Sequence, residues 1–320
     1  MRRIGVVTAG GDAPGMNAAL RSIVRSAIHN RLEVIGFERG YKGLIEDQIR
    51  RMGPRSVSGI INLGGTILKT RRCEEMKTPR GIEKAAKVLK KHEIDGLITI
   101  GGDGTFQGAS KLHEASGVPI VGVPATIDND VAGTDTTIGF DTAVNTAVFA
   151  IDKIRDTATS HERIFVVEVM GRKRGFLALE VGLAEGAEVI LIPEIKFDLD
   201  EICKRLKWAR VEGKTSEIIV MAEGAGDSRS IVEYISEKTG YEVRLTILGH
   251  IQRGGAPTAL SRTLACQFGY HAVRLLLDGT EKKIVGIRGG EIVSADLDYS
   301  WKGEKEINLR LYRLAEMLSM

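Results

Sequence analysis

Short apolar, β-branched runs alternate with helix-period segments along nearly the whole chain, and this alternation limits what it can fold into more than any other feature. Arg3–Thr8, Glu33–Phe37, Gly96–Ile100, Pro119–Val123, Ile164–Val169, Val189–Ile192, Glu217–Ala222 and Glu242–Leu248 read as buried strands. Met16–His29 sets Ala19, Ile23, Ala27 and Ile28 near one helical face, and Gly81–His92 does the same with Ile82, Ala85, Ala86 and Leu89. Phe106–Ala115, Asp141–Thr157, Glu201–Val211, Ser230–Lys238, Thr258–Leu277 and Ile307–Leu318 complete the helices, and Lys283–Arg288 with Glu291–Ser294 reads as a hairpin turning at Gly289-Gly290. Strand–helix–strand repetition calls for parallel pairing, with helices covering both sheet faces. About ten strands in 320 residues predict an α/β protein with two doubly wound, mainly parallel sheets.

Bulk properties exclude several classes. A net charge of +3 gives no global field for nucleic acid or an anionic membrane, so any anion site must be a local cluster. No stretch approaches the 18 or so uninterrupted apolar residues of a membrane span. The first strand starts at Arg3, so no signal peptide is expected and a cytoplasmic location follows. Cys73, Cys203 and Cys266 are odd in number and far apart, which argues for reduced thiols and against a disulfide framework or zinc site.

Chemistry concentrates at the carboxyl ends of the strands, where α/β sheets bind ligands. The first strand ends in Gly10-Gly11-Asp12-Ala13-Pro14-Gly15, whose glycines allow backbone N–H groups to approach phosphate oxygens beside a helix N-terminus. It lacks the Lys-Ser/Thr of a P-loop and the spacing of a dinucleotide fingerprint, and a Gly-rich turn can serve only to turn the chain. Gly101-Gly102-Asp103-Gly104-Thr105 is sharper. Glycines on both sides of one acid suit an Asp over phosphates, binding Mg²⁺ directly or through water; the alternative is an Asp that caps the next helix. About 20 residues later comes Pro124-Ala125-Thr126-Ile127-Asp128-Asn129-Asp130. Alternation along an extended segment places Asp128 and Asp130 on one side, one as base and the other orienting it or assisting the metal. The alternative is a pair of turn-forming acids; a calcium loop is excluded because the Gly and the later Glu are missing. Arg172, Glu223, His250 and Arg253 also follow strands. Singly each suits a solvated loop charge; jointly they describe a pocket able to grip a phosphate and a polyol.

These segments, in this order and across essentially the whole chain, resemble the bacterial ATP-dependent 6-phosphofructokinases. The resemblance rests on Gly10–Asp12, Gly101–Thr105, Thr126–Asp130, Met170–Arg172 and Leu248–Gly255. It implies a glycolytic reaction, MgATP plus fructose 6-phosphate giving ADP and fructose 1,6-bisphosphate, with the active site in the cleft between domains. It also implies a larger nucleotide-binding domain from 1–138 with 252–305, and a smaller sugar-phosphate domain from 139–251 with 306–320. Asp128 is implied as base, with Thr126 and Asp130 beside it, Asp103 as the metal-associated acid, and Gly11 and Arg172 at the transferring phosphoryl group. Tyr41, Arg72, Cys73, Gly102, Gly104, Thr105 and Gly108 join Gly11 and Asp103 in the implied nucleotide site. Sugar contacts map to Thr126, Met170, Gly171, Arg172, Glu223, His250 and Arg253, while Arg163 and Arg244 match arginines lent by a neighbouring subunit of a homotetramer. Pyrophosphate-using relatives typically carry Asp at the position of Gly104 and Lys at that of Ala125, so Gly104 and a small Ala125 favour ATP.

The implied effector site departs from the family pattern. Arg21, Arg25, Arg155, Gly186, Glu188 and Lys214 match the site for ADP or phosphoenolpyruvate, but Glu212 stands where an Arg is usual, Thr215 and Ser216 replace a basic residue and a His, and Gly59 replaces an acid. A charge pair at 4 Å in a dielectric of 20 amounts to about 4 kcal/mol before solvent compensation. A weak or altered effector response is therefore expected. Three rival readings are a pyrophosphate-dependent phosphofructokinase, an NAD or lipid kinase sharing Gly-Gly-Asp-Gly-Thr, and a non-catalytic sensor of nucleotides or sugar phosphates. The second lacks a His250–Arg253 segment in this context, and the third has no need of Asp128.

Overall fold

The computed structural model describes residues 1–319, and it falls into two compact units. Unit 1 comprises Met1–Thr142 and Arg253–Lys305; unit 2 comprises Ala143–Gln252 and Glu306–Met320. Met320, the last residue of the expected smaller domain, lies outside the described residues.

In chain order the elements are β1 (Arg3–Thr8), α1 (Met16–His29), β2 (Glu33–Phe37), α2 (Gly40–Ile45), β3 (Ile49–Met52), α3 (Pro79–Lys91), β4 (Gly96–Gly101), α4 (Asp103–Ser116), β5 (Ile120–Thr126), β6 (Ile138–Gly139) and α5 (Phe140–His161). They continue with β7 (Ile164–Val169), α6 (Phe176–Ala184), β8 (Val189–Leu191), α7 (Leu199–Val211), β9 (Glu217–Ala222), α8 (Ser228–Thr239), β10 (Val243–Ile247), α9 (Ala259–Leu277), β11 (Lys282–Arg288), β12 (Glu291–Asp296), α10 (Tyr299–Lys302) and α11 (Leu309–Leu318).

Unit 1 is built on an eight-stranded sheet in the order β12-β11-β5-β4-β1-β2-β3, with β6 added to β5. All its pairings are parallel except β2 with β3 and β11 with β12, which lie at the two edges. Side-chain alternation sends Val7, Phe37 and Leu97 to the face covered by α3 and α4, where they join Leu89, Phe106 and Leu112 in one core. Their neighbours Ile4, Val6 and Ile98 are fully buried on the opposite face, on the side of the packed pair α1 and α9. Thr78, its hydroxyl accepting from Gly81 N at 3.1 Å, caps α3 with Pro79 in the first turn.

Unit 2 has a four-stranded, wholly parallel sheet in the order β10-β7-β9-β8. Its core joins Ile164, Val166, Ile219 and Met221 of the sheet to Ile202 and Leu206 of α7 and to Ile231 and Ile235 of α8. Asp198 and Asp227 cap these two helices through backbone N–H groups, and Gly240, left-handed at φ 76°, ends α8.

The expected hairpin is present, and Gly289 and Gly290 carry φ of 56° and 85° as its turn requires. Two strands were not expected: polar β3 at one edge and the two-residue β6. The strand expected to end at Val123 runs on to Thr126 as β5, through Pro124. Proline is tolerated there because pairing with β11 has already ended at Gly122, leaving no ladder bond for Pro124 to donate. No helix among the described residues is long and apolar enough to cross a membrane.

Candidate active site

In unit 1, three neighbouring strands deliver their carboxyl ends to one place. β4 lies between β1 and β5, in register Thr8↔Ile100 and Gly101↔Pro124, so the turns after all three strands are adjacent. The contacts are too close for side chains. A Cβ on Gly10 (φ 83°) would lie 3.0 Å from Thr105 Oγ1, and one on Gly101 would lie 2.4 Å from the Ala9 carbonyl. A Cβ on Gly102 would face Thr126 at 3.7 Å. The Gly101–Thr105 turn and the Thr126–Asp130 loop therefore lie side by side.

Asp103 is the first helical residue of α4, with Gly102 as the cap. The alternative of Asp103 as helix cap is thereby excluded; the carboxylate instead rides on the first turn, at the positive end of the helix. Gly104 is exposed, and a Cβ there would meet nothing within 4 Å.

The Thr126–Asp130 loop departs from the sequence expectation. It is a bend, not an extended segment, and Asn129 is left-handed at φ 53°, so strand alternation does not place Asp128 and Asp130 on one side. Asp128 is buried at 5% exposure, and Asp130 is half-buried. Hydrogen bonds hold the loop instead. Asp128 N donates to Thr126 Oγ1 at 3.2 Å, Thr137 Oγ1 donates to the Thr126 carbonyl at 2.6 Å, and Thr137 N donates to Asn129 Oδ1 at 3.1 Å. Lys305 Nζ donates to the same Asn129 oxygen at 2.8 Å and to the Asp135 carbonyl at 3.0 Å. Burial brings the Lys305 ammonium down to about 8, while Asp130 and Asp135 act in the opposite direction.

Of the remaining expected nucleotide residues of unit 1, Tyr41 and Gly108 lie beside the Gly101–Thr105 turn. Tyr41 donates its hydroxyl to the Thr105 carbonyl at 2.6 Å, and its ring would touch a Cβ on Gly108 at 3.0 Å; burial raises its phenol. Thr70 Oγ1 donates to the Gly10 carbonyl at 2.8 Å, which brings in the segment carrying exposed Arg72 and half-buried Cys73. Arg253 pairs with Asp12 at 2.6 Å, and its Nη2 lies 2.7 Å from where a Cβ of Gly11 would be. Neither the Arg253 pairing nor Lys305 has a local signal in the sequence, since the partners are far apart along the chain.

Unit 2 collects another part of the expected set at the carboxyl ends of β7 and β9. Arg172 N donates to Glu223 Oε1 at 2.6 Å, Glu223 N donates to the Val169 carbonyl at 2.9 Å, and Gly171 and Arg172 turn with φ of 134° and 52°. Met170 N donates to Oε1 of fully buried Gln252, in the turn that carries exposed His250. Arg163 and Arg244 do not join them. Both lie at the amino ends of β7 and β10 and share Glu242, with Arg163 Nε 2.8 Å from its carboxylate. That contact with Arg163, together with Arg244, lowers the Glu242 carboxyl. The length of β7, about 20 Å, separates this pair from Met170–Arg172 within one chain.

The expected effector residues are divided as well. Arg21 and Arg25 are on α1 in unit 1. In unit 2, Arg155 donates to the Glu185 carbonyl at 2.5 Å, Lys214 pairs with Glu188 at 2.8 Å, Ser216 meets Thr159 at 3.3 Å, Gly186 turns at φ 59°, and exposed Glu212 ends α7. Among the described residues no cluster of three or more His, Cys, Asp or Glu could hold a metal. A Mg²⁺ here would depend on few protein carboxylates and on substrate phosphates, a donor set that Asp103 at the head of α4 fits.

The 6-phosphofructokinases called ATP-dependent in Halothermothrix orenii and Clostridium botulinum are 53% and 52% identical to this chain, over 332 and 319 residues and the full length of both partners in each case. The phosphofructokinase structure of Saccharomyces cerevisiae superposes on all of this chain with a TM-score of 0.90 at 34% identity, although the chain spans only 48% of that one. The family model described as Phosphofructokinase matches residues 3–276, and the chain belongs to the phosphofructokinase family.

Proposed function

We propose that this protein transfers the terminal phosphoryl group of MgATP to the 1-hydroxyl of fructose 6-phosphate, giving ADP and fructose 1,6-bisphosphate. The observation that carries the proposal is the adjacency of the turns that follow β4 and β5, one with a glycine-flanked Asp103 and the other with a buried Asp128. One acid can hold a metal–nucleotide while the other accepts a proton.

Asp128 takes the proton of the attacking hydroxyl, oriented by Thr126 and accompanied by Asp130. Its burial and its place in a hydrogen-bonded loop fix the base before the alcohol arrives, so that proton transfer and attack require little rearrangement. The Gly11 N–H and the Arg172 guanidinium are assigned to the oxygens of the transferring group, whose charge spreads in a loose transition state. Asp103 and the ATP phosphates would hold Mg²⁺, which when bound neutralises phosphate charge. Tyr41, Arg72, Cys73, Gly102, Gly104, Thr105 and Gly108 are assigned to the nucleotide, and Met170, Gly171, Glu223, His250 and Arg253 to the sugar phosphate. Open space at Gly104 supports a nucleoside triphosphate as donor over pyrophosphate.

Arg163 and Arg244 are assigned to the 6-phosphate bound by a neighbouring copy in a homotetramer. Their separation from Met170–Arg172 by a whole strand supports this assignment, because one chain does not gather both sets. ADP and phosphoenolpyruvate are proposed as effectors, with a response weakened by Glu212.

A coupled assay with fructose 6-phosphate and a panel of ATP, other triphosphates, ADP and pyrophosphate tests the reading. ATP is expected to support turnover with Mg²⁺ present. Turnover with pyrophosphate and none with ATP selects the pyrophosphate-dependent reading, and binding without turnover selects the sensor.

A further inference from the structure

Lys305 lies outside every motif read from the sequence, in the charged stretch Gly303-Glu304-Lys305-Glu306. It is nevertheless half-buried, and its ammonium reaches back to the Asp128–Asp130 loop. Lys305 Nζ donates to Asn129 Oδ1 at 2.8 Å and to the Asp135 carbonyl at 3.0 Å. Asn129 in turn ties the two ends of the loop, donating from Nδ2 to the Asp135 carbonyl at 3.3 Å and accepting from Thr137 N at 3.1 Å.

Two features make this contact more than a surface tether. Asn129 sits between Asp128 and Asp130 in a left-handed conformation (φ 53°), which Asn tolerates better than most residues, and its side-chain bonds to the Asp135 carbonyl and Thr137 N anchor it there. Asn129 is joined by peptide bonds to both Asp128 and Asp130, so a shift of its backbone displaces the points from which both carboxylates extend. In addition, Lys305 is the last residue of unit 1, the point where the chain passes into unit 2. A cation placed there joins the exit of the chain to the loop that carries the base.

We propose that Lys305 is a positioning residue for the phosphoryl-transfer reaction, holding Asn129 through a charge-assisted hydrogen bond and thereby aiming the Asp128 carboxylate. The proposal rests on the reading of Asp128 as the base. Lys305 touches neither substrate nor the reacting atoms in this assignment. A misaimed base slows the chemical step but leaves ground-state binding of sugar and nucleotide intact, so its removal lowers kcat and spares KM.

The test compares Lys305→Met, Lys305→Arg, Asn129→Ala, the double variant Lys305→Met/Asn129→Ala, and Asp128→Ser as full-length protein, measuring kcat, both KM values and thermal midpoint. Lys305→Met is expected to lower kcat by about 10- to 100-fold, the scale of a displaced catalytic group, with both KM values within about threefold. Lys305→Arg, which keeps the charge and the donors, is expected to recover most of kcat. The double variant is expected to be no slower than the slower single variant, because both act through one contact. Wild-type kcat in Lys305→Met overturns the proposal. So does a fall in kcat matched by lost stability that Lys305→Arg fails to restore, since that pattern describes a structural tether. If Lys305→Met does not fold, Lys305→Gln carries the same comparison, and unchanged kcat there is equally fatal. Asp128→Ser separates the two readings: an active Asp128→Ser removes the base assignment itself, whereas an inactive Asp128→Ser beside a fully active Lys305→Met removes Lys305 alone.

Discussion

Glu217 opens β9 with no exposed surface, and neither carboxylate oxygen has a hydrogen-bond donor. Burial raises its carboxyl from an ordinary 4.5 to about 7; Arg210, 3.8 Å away, and Lys214 oppose the shift, and Glu188 reinforces it. The folded protein therefore holds this proton more tightly than the unfolded chain does. The stabilisation that results is complete below about pH 4.5 and is lost as pH rises through about 7. A shift from 4.5 to about 7, at about 1.4 kcal/mol for each pH unit, makes the ionised group cost about 3 kcal/mol in full. Glu217→Gln keeps the size and removes the ionisation. It is expected to exceed the wild type by less than about 1 kcal/mol at pH 5 and by up to about 3 kcal/mol at pH 8. For a domain of this size class, about 2–4 °C in thermal midpoint accompanies each kcal/mol. Thermal melts of both proteins at pH 5, 6, 7 and 8, at one protein concentration, give the comparison. A difference that stays flat with pH, or a variant that loses more stability at pH 8 than at pH 5, refutes the reasoning.

The remaining predictions concern catalysis and regulation. Asp128→Ser is expected to lower turnover at least ~10²-fold, with dissociation constants from equilibrium titration little changed; an unaltered rate removes Asp128 from the mechanism. Gly104→Asp is expected to leave the thermal midpoint within a degree or two, because a Cβ there meets nothing, while ATP turnover falls through charge repulsion with the phosphates; undiminished ATP use in steady-state assays contradicts the donor assignment. Glu212→Arg, at the exposed end of α7, is expected to strengthen activation by ADP at low sugar concentration, and tight activation already present in the wild type counts against the weakened site.

Much of the architecture is legible in the sequence because parallel strands buried on both faces leave continuous apolar runs, as in Arg3–Thr8 and Gly96–Gly101. Ile49–Met52 escapes that pattern: an antiparallel edge strand needs only one apolar face, and Arg50 and Arg51 read as loop. Pro124 suggests a strand end, yet the strand continues because its outer partner stops first, and that depends on the length of β11, a distant segment. Asp103 and Asp128 are legible from their glycine and polar surroundings. The loop geometry around Asp128 is not, because one left-handed Asn129 reverses an argument built on alternation. Arg253 with Asp12, and Lys305 with Asn129, belong to the part of a site that only the folded chain assembles; a lysine between two glutamates looks solvated until its partner is known.

β4 and β5 fix the separation of the two acid-bearing turns through main-chain ladder bonds, at the interstrand distance of about 4.8 Å that every sheet shares. Side-chain volume in the hydrophobic layers contributes little to that dimension. Substitutions that loosen the interior are therefore expected to shrink the population of native molecules well before they degrade the performance of each one. A damaged variant would then show fewer working copies at normal speed, and active-site titration would distinguish that from slowed chemistry.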